Sequence, residues 1–516
     1  MADMFNVDTP ILGETYVARS VNAANSRLVN LFPEVVPQEG KSAGFFSRAP
    51  GLTLLGTLGS GPIRGMWAYA GAAFVVSGNG LYRVDISYKS TYIGAVSGNG
   101  PVSMSDNGVQ LFVAANGPSY IYDAVTTQFQ QITDPDFPGA VTVGYIDGYF
   151  VFNEPNSQRI WVSAILDGTN IDPLAFASAE GSPDGLVALA IDHREIWLFG
   201  TSTVEVWYNA GQADFPLERI QGAFNELGCA APYSVTKVDN SLFWLGSDAR
   251  GGAMVYRADG YNGARMSTHA IEWQIQRYSY IADAVGYAYQ QDGHLFYVLN
   301  FPTANATWVY DVATKAWHER ASFSNGSFGR HFGNCHVFFN STNIVGDCYN
   351  GNIYKLDLNN YSDNGATQKW VRSWRAIGPN KNDLNRTAQH SLQIDIEAGV
   401  GLNTYGAQDT NVLLMTENGN RIILTQNTNN LSTPAYPAPA GYDPEVTLRF
   451  SDDGGHTWSS ERTAKIGKVG EYARRVIFRR LGMTTKLRDR VYEISGTDPV
   501  KISIMGAMLE ASGTNG

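Results

Sequence analysis

The feature that most constrains the fold is a hairpin that recurs along the first two thirds of the chain. Each copy has an aromatic-rich apolar strand, a turn and a second strand that carries a Tyr or Trp; the first copy is 73–76 (AFVV) followed by 81–85 (LYRVD). The second-strand aromatics are Tyr82, Tyr122, Trp161, Trp207, Tyr256, Tyr310 and Tyr354. Their spacings run from 39 to 54 residues, which is the period of a four-stranded propeller blade.

One such hairpin cannot bury its apolar face alone, whereas blades stacked around an axis bury both faces and leave only short edges. We therefore predict an all-β protein with a β-propeller of about seven blades over residues 61–388. Six or eight blades, or an irregular all-β fold with tyrosine-rich strands, stay open at this point. A length of 516 residues with 44% apolar side chains also requires more than one ordinary domain.

Two regions flank the predicted propeller. Residues 1–60 contain prolines and glycines that argue against a packed domain, so we expect an arm that runs over the propeller or over a neighbour. Residues 389–516 show apolar alternation typical of a β-sandwich, with a hairpin and loop inserted at 402–444, where Asn418-Gly419 lies between two apolar strands. The residues expected to share inward faces are Leu392, Ile394 and Ile396; Val446, Leu448 and Phe450; and Ile502, Ile504 and Met508.

Composition excludes several classes of protein. A net charge of −11 argues against a chain that wraps nucleic acid, because phosphate binding depends on Lys and Arg. Three cysteines are too few for a disulfide framework, so a reducing compartment is expected. The first 16 residues lack the apolar core of a signal peptide, and no run approaches 18 apolar residues, so no membrane-spanning helix is expected.

One local motif is specific. The segment 451–458 (SDDGGHTW) matches the Asp-box pattern S-x-D-x-G-x-T-W at Ser451, Asp453, Gly455, Thr457 and Trp458. The carboxylate can accept backbone N–H groups across a tight turn, the glycine permits the turn, and the indole packs beneath it. Asp boxes of sialidase-type propellers are remote from catalysis, so we interpret this one as structural.

No catalytic or cofactor motif accompanies it. A glycosidase needs two carboxylates that face one cleft, and nothing in the sequence singles out such a pair. His331, Cys335, His336 and Cys348 lack the tight pairing of a zinc site and are interpreted as ordinary strand residues. We therefore predict no catalytic residues, no metal and no cofactor.

Charge is concentrated in one segment. Residues 461–490 hold ten Lys or Arg and three acidic residues, a local balance of +7 in an acidic chain. A solvated strand face, a docking surface for an acidic partner or neighbouring subunit, and direct DNA contact are the open interpretations, and the docking surface is our sharper hypothesis. In an alternating strand only about half of the side chains could face the partner. The candidate interface residues are Arg474, Arg475, Arg479, Arg480, Lys486 and Arg488.

A series of motifs along the chain resembles motifs of the packaged-DNA stabilisation proteins, also called tail hub or nozzle proteins, of short-tailed phages. At the C-terminal end it consists of the Asp box followed by 466–472 (IGKVGEY), 475–482 (RVIFRRLG) and 498–501 (DPVK). Similar motifs occur at 30–34 (NLFPE), 50–52 (PGL), 182–186 (SPDGL) and 199–205 (FGTSTVE). The resemblance therefore touches the start, middle and end of the chain.

The resemblance implies a structural virion protein that is assembled in the host cytoplasm. Such proteins form a ring, usually a homohexamer, below the portal and adaptor, continue the DNA channel, help to retain packaged DNA and anchor the tail needle, tip or fibres. DNA would pass through without sequence-specific binding, which suits an acidic wall, and no membrane insertion is implied. The alternatives are a carbohydrate-binding or sialidase-like propeller tail module and, third, a kelch-like scaffold.

Overall fold

A computed structural model describes residues 4–37, 40–179, 181–247, 253–377, 386–402, 440–485 and 490–513. Strands dominate this part of the chain, and its helical elements are the short α-helix His269–Ile275 and the 3₁₀ turn Pro232–Ser234. Within these residues no helix has the length and apolar character needed to cross a bilayer.

Seven blades can be traced in the described residues. The first five consist of Ile63–Tyr69, Ala72–Ser77, Gly80–Val84 and Ser90–Ala95 (blade 1); Ser103–Asp106, Gln110–Ala114, Ser119–Asp123 and Phe129–Gln131 (blade 2); Val143–Ile146, Tyr149–Asn153, Arg159–Val162 and Phe176–Ser178 (blade 3); Leu186–Asp192, Glu195–Gly200, Val204–Asn209 and Leu217–Asn225 (blade 4); and Gly228–Cys229, Thr236–Val238, Ser241–Ser247, Met254–Asp259 and Asn262–Arg265 (blade 5). Blade 6 is formed by Val285–Gln291, His294–Phe301, Ala306–Asp311 and Ala316–Glu319, and blade 7 by Gly333–Phe339, Thr342–Asp347, Asn352–Asp357 and Gly51–Thr57.

The predicted hairpin is the second and third strand of each blade. Six of the seven marker aromatics are buried and Tyr82 is half-buried, because neighbouring blades pack face to face over the third strand. The interface between blades 7 and 1, for example, joins Val75, Val337 and Ile344 in one cluster. The predicted all-β propeller followed by a sandwich is confirmed.

The propeller ring is closed by the N-terminal segment. Strand Gly51–Thr57 pairs antiparallel with Asn352–Asp357 as the fourth strand of blade 7, while Gly333–Phe339 of the same blade packs on Ile63–Tyr69 of blade 1. A blade assembled from both ends of the domain holds the ring shut without a covalent link. Short strands Ser362–Asp363 and Ala366–Thr367 extend this blade at its outer edge.

The sandwich consists of two facing sheets. One contains Val476–Met483, Thr387–Ile396, Ser503–Gly513, Met4–Asp8, Gly44–Arg48 and Leu31–Val35. The other contains Leu28–Val29, Trp370–Arg375, Val491–Gly496, Glu445–Ser451 and Arg462–Lys465, and continues into blade 6 through a bridge between Glu319 and Val29. The remaining strands form two small hairpins, Tyr16–Val17 with Asn25–Ser26 and Ala321–Ser324 with Ser327–Arg330.

The N-terminal segment is therefore more than a surface arm. Leu28, Leu31 and Phe46 are fully buried in the sandwich core, because short apolar runs between the prolines are long enough to pair as strands. Strand Trp370–Arg375, which lies inside the range predicted for the propeller, also belongs to the sandwich. The chain thus passes between the propeller and the sandwich more often than the domain boundaries predicted from sequence imply.

The apolar alternation along the strands predicts most of the buried residues of the sandwich correctly. Leu392, Ile394 and Ile396 are buried, as are Val446 and Leu448, with Phe450 half-buried, and Ile502 and Ile504. Met508 is exposed, so its prediction as an inward residue was wrong. The pairing shifts register by one residue between Asp395 and Ile396, and this bulge reverses the face of every later residue in the partner strand. The predicted Asn418-Gly419 hairpin lies outside the described residues.

Candidate functional site

The Asp box is a self-contained turn in the sandwich, between strands Glu445–Ser451 and Arg462–Lys465. The Asp453 carboxylate accepts the backbone N–H of His456 at 2.9 Å, and the backbone N–H and hydroxyl of Thr457 at 2.9 and 2.6 Å. The Ser451 hydroxyl donates to the same carboxylate at 2.6 Å and accepts the N–H of Gly455 at 2.7 Å. These hydrogen bonds to the charged form hold the pKa of Asp453 well below its usual range.

Close backbone approach explains the two glycines of the turn. Gly454 and Gly455 have φ values of +78° and +108°, and a Cβ on either would collide with Asn22 or Asn25 of the N-terminal segment. Asn25 also donates to the carbonyl of Gly454 at 3.2 Å. The box therefore fastens the N-terminal segment to the sandwich, and its carboxylate is occupied by structural donors.

A buried ion pair lies directly behind the box. Arg490 is 1% exposed, and its guanidinium donates to both carboxylate oxygens of Asp452 at 2.6 and 2.7 Å. It also donates to the carbonyl of Leu481 at 2.9 Å and stacks on Phe450 at 4.2 Å. Arg490 contributed to the basic segment counted from sequence, but its charge is internal and is not available to a partner.

The basic surface comprises the exposed arginines Arg474, Arg475, Arg479 and Arg480. The first two follow an exposed loop, and the others lie on Val476–Met483, which is the edge strand of its sheet. In the described part of the chain none of the four forms an ion pair. Lys486 and Arg488 lie outside the described residues.

A β-bulge explains why two adjacent arginines face solvent. Arg480 has φ +58°, and the pairing with the neighbouring strand slips between Gln389 and Ser391. Arg479 and Arg480 therefore both point outward, whereas strict alternation predicted that only one of them would. The Arg462 guanidinium donates to the carbonyls of both residues at 3.0 Å and so ties the edge strand to the facing sheet.

In the described part of the chain, a groove in the sandwich is lined by four carboxylates, of which two have structural partners. A groove of 520 Å³ is lined by Lys369, Asp443, Lys465 and Asp498, among others. Asp443 pairs with Lys465, and Asp498 accepts the backbone N–H groups of Gly441 and Glu445. Asp443 and Asp498 are thus engaged in holding the loop that precedes Glu445–Ser451, and the groove lining also includes Glu445 and Glu461.

The His and Cys residues near blade 7 are buried (His331, Cys348) or half-buried (Cys335, His336) parts of the propeller. Burial raises the pKa of the Cys335 thiol to about 12 and that of Cys348 to about 11, so both stay protonated at neutral pH. Burial also lowers the pKa of His336 to about 4. Among the residues that the structure describes, no three His, Cys, Asp or Glu side chains converge as a metal site.

Sequence reasoning missed the buried arginines. Arg48, Arg64, Arg320 and Arg372 are each 1–3% exposed, although arginine is ordinarily a surface residue. Arg372 is central in the strand 370–375 (WVRSWR), where three aromatic or apolar residues surround it. That apolar context is the one sequence signal that could have indicated the burial of Arg372. Arg48, Arg64 and Arg320 stand in segments that carry no such signal.

Comparison with known proteins assigns both domains to one family. The profile described as "Bacteriophage P22 Gp10, beta-propeller" matches residues 7–361, and the profile "Bacteriophage P22 Gp10, beta-sandwich" matches residues 414–512. The tail hub protein gp10 of Salmonella phage P22 is 25% identical over 289 residues, which cover 53% of this chain and 60% of that protein. The match thus spans less than two thirds of the relative's length.

Similar solved structures are more distant. A streptogramin B lyase structure is 11% identical, with 60% of this chain and 97% of that chain covered and a TM-score of 0.39. The computationally designed Ika8 protein is 14% identical, with 64% of this chain and all of that chain covered and a TM-score of 0.36. Similarities at this level do not bear on function.

Proposed function

Because the chain belongs to the bacteriophage P22 Gp10 family, we propose that it is a structural subunit of a phage tail, a tail hub protein. The observation that carries the proposal is that the propeller profile and the sandwich profile both match, in that order. The relative from Salmonella phage P22 is itself named a tail hub protein. The resemblance expected from sequence motifs is confirmed at the level of the family.

In the proposed assembly the subunits form a ring, expected to be a hexamer, below the portal and adaptor. The ring continues the DNA channel, helps to retain packaged DNA and anchors the tail needle, tip or fibres. The net charge of −11 supports a channel role, since an acidic wall lets DNA slide without binding tightly. The chain is then a virion component that is assembled in the host cytoplasm.

The basic surface is the proposed contact with an adjacent subunit or the adaptor ring. Its four arginines project from an edge strand and from the loop that precedes it. Charge complementarity would orient the docking subunit and increase the association rate. The acidic composition of the rest of the chain makes a neighbouring copy a suitable partner for it.

The proposed role is not enzymatic. The Asp-box carboxylate is occupied by backbone and hydroxyl donors, and Asp443 and Asp498 of the groove are engaged in structural bonds. We expect no cleavage of sialosides or host polysaccharide by the purified protein. Turnover that disappears when a groove carboxylate such as Asp443 is replaced by Asn would contradict this.

The assembly proposal is tested by electron microscopy of the purified protein mixed with portal–adaptor complexes. We expect closed rings on the distal face of the adaptor, with a channel along the ring axis. A protein that stays monomeric with these complexes, over a range of concentrations and salt, would reject the ring. Rings that form but bind elsewhere on the virion would reject the hub position.

A further inference from the structure

One buried arginine differs from the others in the molecule. Arg48, Arg64 and Arg372 donate to backbone carbonyls, for example from Arg64 to Gly78 and Ser97 at 2.9 Å, and Arg490 pairs with Asp452. Arg320 is 1% exposed, yet its Nε, Nη1 and Nη2 atoms have no acceptor in the described structure. A buried cation without acceptors is strongly destabilising, so this guanidinium needs a partner of its own.

Arg320 lies between blades 6 and 7 among aromatic rings. Its guanidinium carbon is 5.2 Å from the ring centre of Tyr289 and 5.0 Å from that of Phe296. The rings supply cation–π attraction, and the Tyr289 hydroxyl is close enough to interact with the guanidinium, but no described oxygen or nitrogen meets the geometry of an acceptor for its N–H groups. The hydroxyls of Tyr287 and Tyr289 are themselves buried without a hydrogen-bond partner among the described residues.

Imidazole groups add further donors. The Nδ1 atom of His331 accepts the N–H of Gly333 at 3.1 Å, so its Nε2 carries the hydrogen, and Nε2 is buried without an acceptor. Burial, and secondarily Arg320, lowers the pKa of His331 to about 3, which keeps the ring neutral. Both ring nitrogens of the buried His318 are also without partners within the described chain.

The neighbouring carboxylates of Asp311 and Asp363 form no ion pair with Arg320 among the described residues. Asp311 accepts from His294 at 2.8 Å and from the N–H of Ala313 at 3.0 Å. Asp363 accepts from Gln368 at 3.2 Å through Oδ1, and its Oδ2 is buried without a hydrogen-bond partner among the described residues. It interacts electrostatically with Arg320, but the two groups are not in contact as an ion pair in the described structure. The cluster around Arg320 is thus rich in donors, carries positive charge and lacks a contacting carboxylate.

We propose that Arg320, Tyr287, Tyr289 and His331 bind a small monovalent inorganic anion, with chloride as the physiological candidate. A halide accepts several N–H and O–H groups at once from different directions and neutralises the guanidinium. A water molecule could hydrogen-bond to the same groups, but as a neutral ligand it would leave the charge of the guanidinium uncompensated. A surface cavity of 250 Å³ lined in part by Gln291, His294 and Phe296 adjoins the cluster on the side of Phe296.

The position of the site gives the anion a structural consequence beyond the proposed tail role. Arg320 directly follows Glu319, the residue of blade 6 that bridges to Val29 in the sandwich. The site therefore lies where blade 6, blade 7 and the sandwich meet. Bound anion would hold this junction together, because a ligand that binds only the folded state stabilises it by mass action.

The first test is thermal unfolding of the full chain in sodium chloride, sodium bromide and sodium gluconate at equal ionic strength. We expect the melting temperature to be several degrees higher in the halides and to rise with the logarithm of halide concentration above the Kd. Arg320→Met should abolish the halide dependence. Arg64→Met, which removes a buried arginine with carbonyl acceptors in blade 1, should lower stability but keep the halide dependence.

The second test locates the ion directly in the unmodified protein and does not require any variant to fold. Crystals soaked in bromide should show an anomalous peak in contact with the Arg320 guanidinium. Equal melting temperatures in all three salts, a halide dependence that persists in Arg320→Met, or bromide-soaked crystals with no peak at Arg320 would each overturn the proposal. Because none of these measurements involves tail assembly, their outcome is independent of the proposed hub function.

Discussion

At the scale of single residues, Asp453 organises its turn through one carboxylate. Asp453→Ala should lower the melting temperature by a few degrees, because two backbone N–H groups and two hydroxyls lose their acceptor. The folded state holds the pKa of Asp453 down, so its contribution is present above pH 4 and is lost as pH falls through the lower folded value. Differential scanning calorimetry from pH 7 to pH 2 should show the two proteins converging in acid. Asp8→Ala, at an exposed carboxylate, is the control and should melt like the unmodified protein.

A second carboxylate has the opposite pH dependence. Burial raises the pKa of Asp363 to about 7, so in the range from about pH 4 to pH 7 the unfolded chain binds fewer protons than the folded chain. The Asp363 contribution to the free energy of unfolding therefore falls as pH rises through this window, by about 1.4 kcal/mol for each unit of pKa shift. Asp363→Asn should remove this dependence of the free energy of unfolding on pH. Above pH 7 the variant should be more stable than the unmodified protein.

Urea titrations of both proteins at several pH values measure the difference in their free energy of unfolding. The buried histidines contribute with the opposite pH dependence, but they are present in both proteins, so their contribution cancels in this difference. A difference between Asp363→Asn and the unmodified protein that is constant from pH 4 to pH 8 would contradict the assignment.

Residue-level chemistry was predictable only where it is local. The Asp box was recognisable because all of its donors and acceptors lie within eight consecutive residues. Its contact with Asn25 joins residues that are 429 positions apart in sequence, and the burial of Arg320 depends on rings contributed by other strands of the folded domain. No periodicity indicates such contacts, so the candidate anion site could not be found before the structure.

At the scale of elements, the closure of blade 7 depends on a glycine. A Cβ on Gly351 would lie well inside van der Waals contact with the carbonyl oxygen of Leu58, next to the point where Leu58 donates to the Gly351 carbonyl at 2.7 Å. Gly351→Ala should push the closing strand Gly51–Thr57 away and destabilise the protein by about 1–3 kcal/mol. Gly100→Ala, at a glycine with nothing within 4 Å of the added carbon, is the matched control.

Hydrogen exchange of the strand Gly51–Thr57 is the sharpest measurement of this effect. Faster exchange in Gly351→Ala confined to blade 7 and its neighbours is the expected pattern. Unchanged exchange in that strand would mean that closure does not depend on this contact.

The elements were predictable to the extent that their signals repeat. The second and third strands of each blade were identified because the same aromatic pattern occurs seven times. The first and fourth strands do not carry this repeated pattern, and the fourth strand of blade 7 comes from the other end of the domain, which no repeat can indicate. Bulges at Arg480 and after Asp395 reverse the expected faces of Arg480 and Met508, because period-2 reasoning assumes an unbroken ladder.

At the scale of the whole molecule, the basic surface should control how subunits join. Replacing Arg474, Arg475, Arg479 and Arg480 by Glu reverses the charge of the edge strand and its loop while leaving the sandwich core unchanged. The monomer should remain folded, since exposed charges contribute little to stability. Assembly with portal–adaptor complexes should slow by at least tenfold at low salt, because steering is strongest there, and by less at about 0.5 M salt, where the Debye length is shorter than 10 Å.

The control for this experiment must change the total charge equally. Arg19, Lys89, Arg277 and Lys315 are exposed and lie away from the edge strand, so their replacement by Glu alters net charge by the same amount without touching the proposed contact. If slower assembly reflected general repulsion between acidic subunits, both quadruple variants would be impaired alike. If the edge strand is the contact, the control should assemble faster than the edge-strand variant at every salt concentration. The measurement is the number of occupied tails counted by electron microscopy for each variant. If the edge-strand variant fills tails normally at all salt concentrations, the four arginines do not contact a partner and only face solvent.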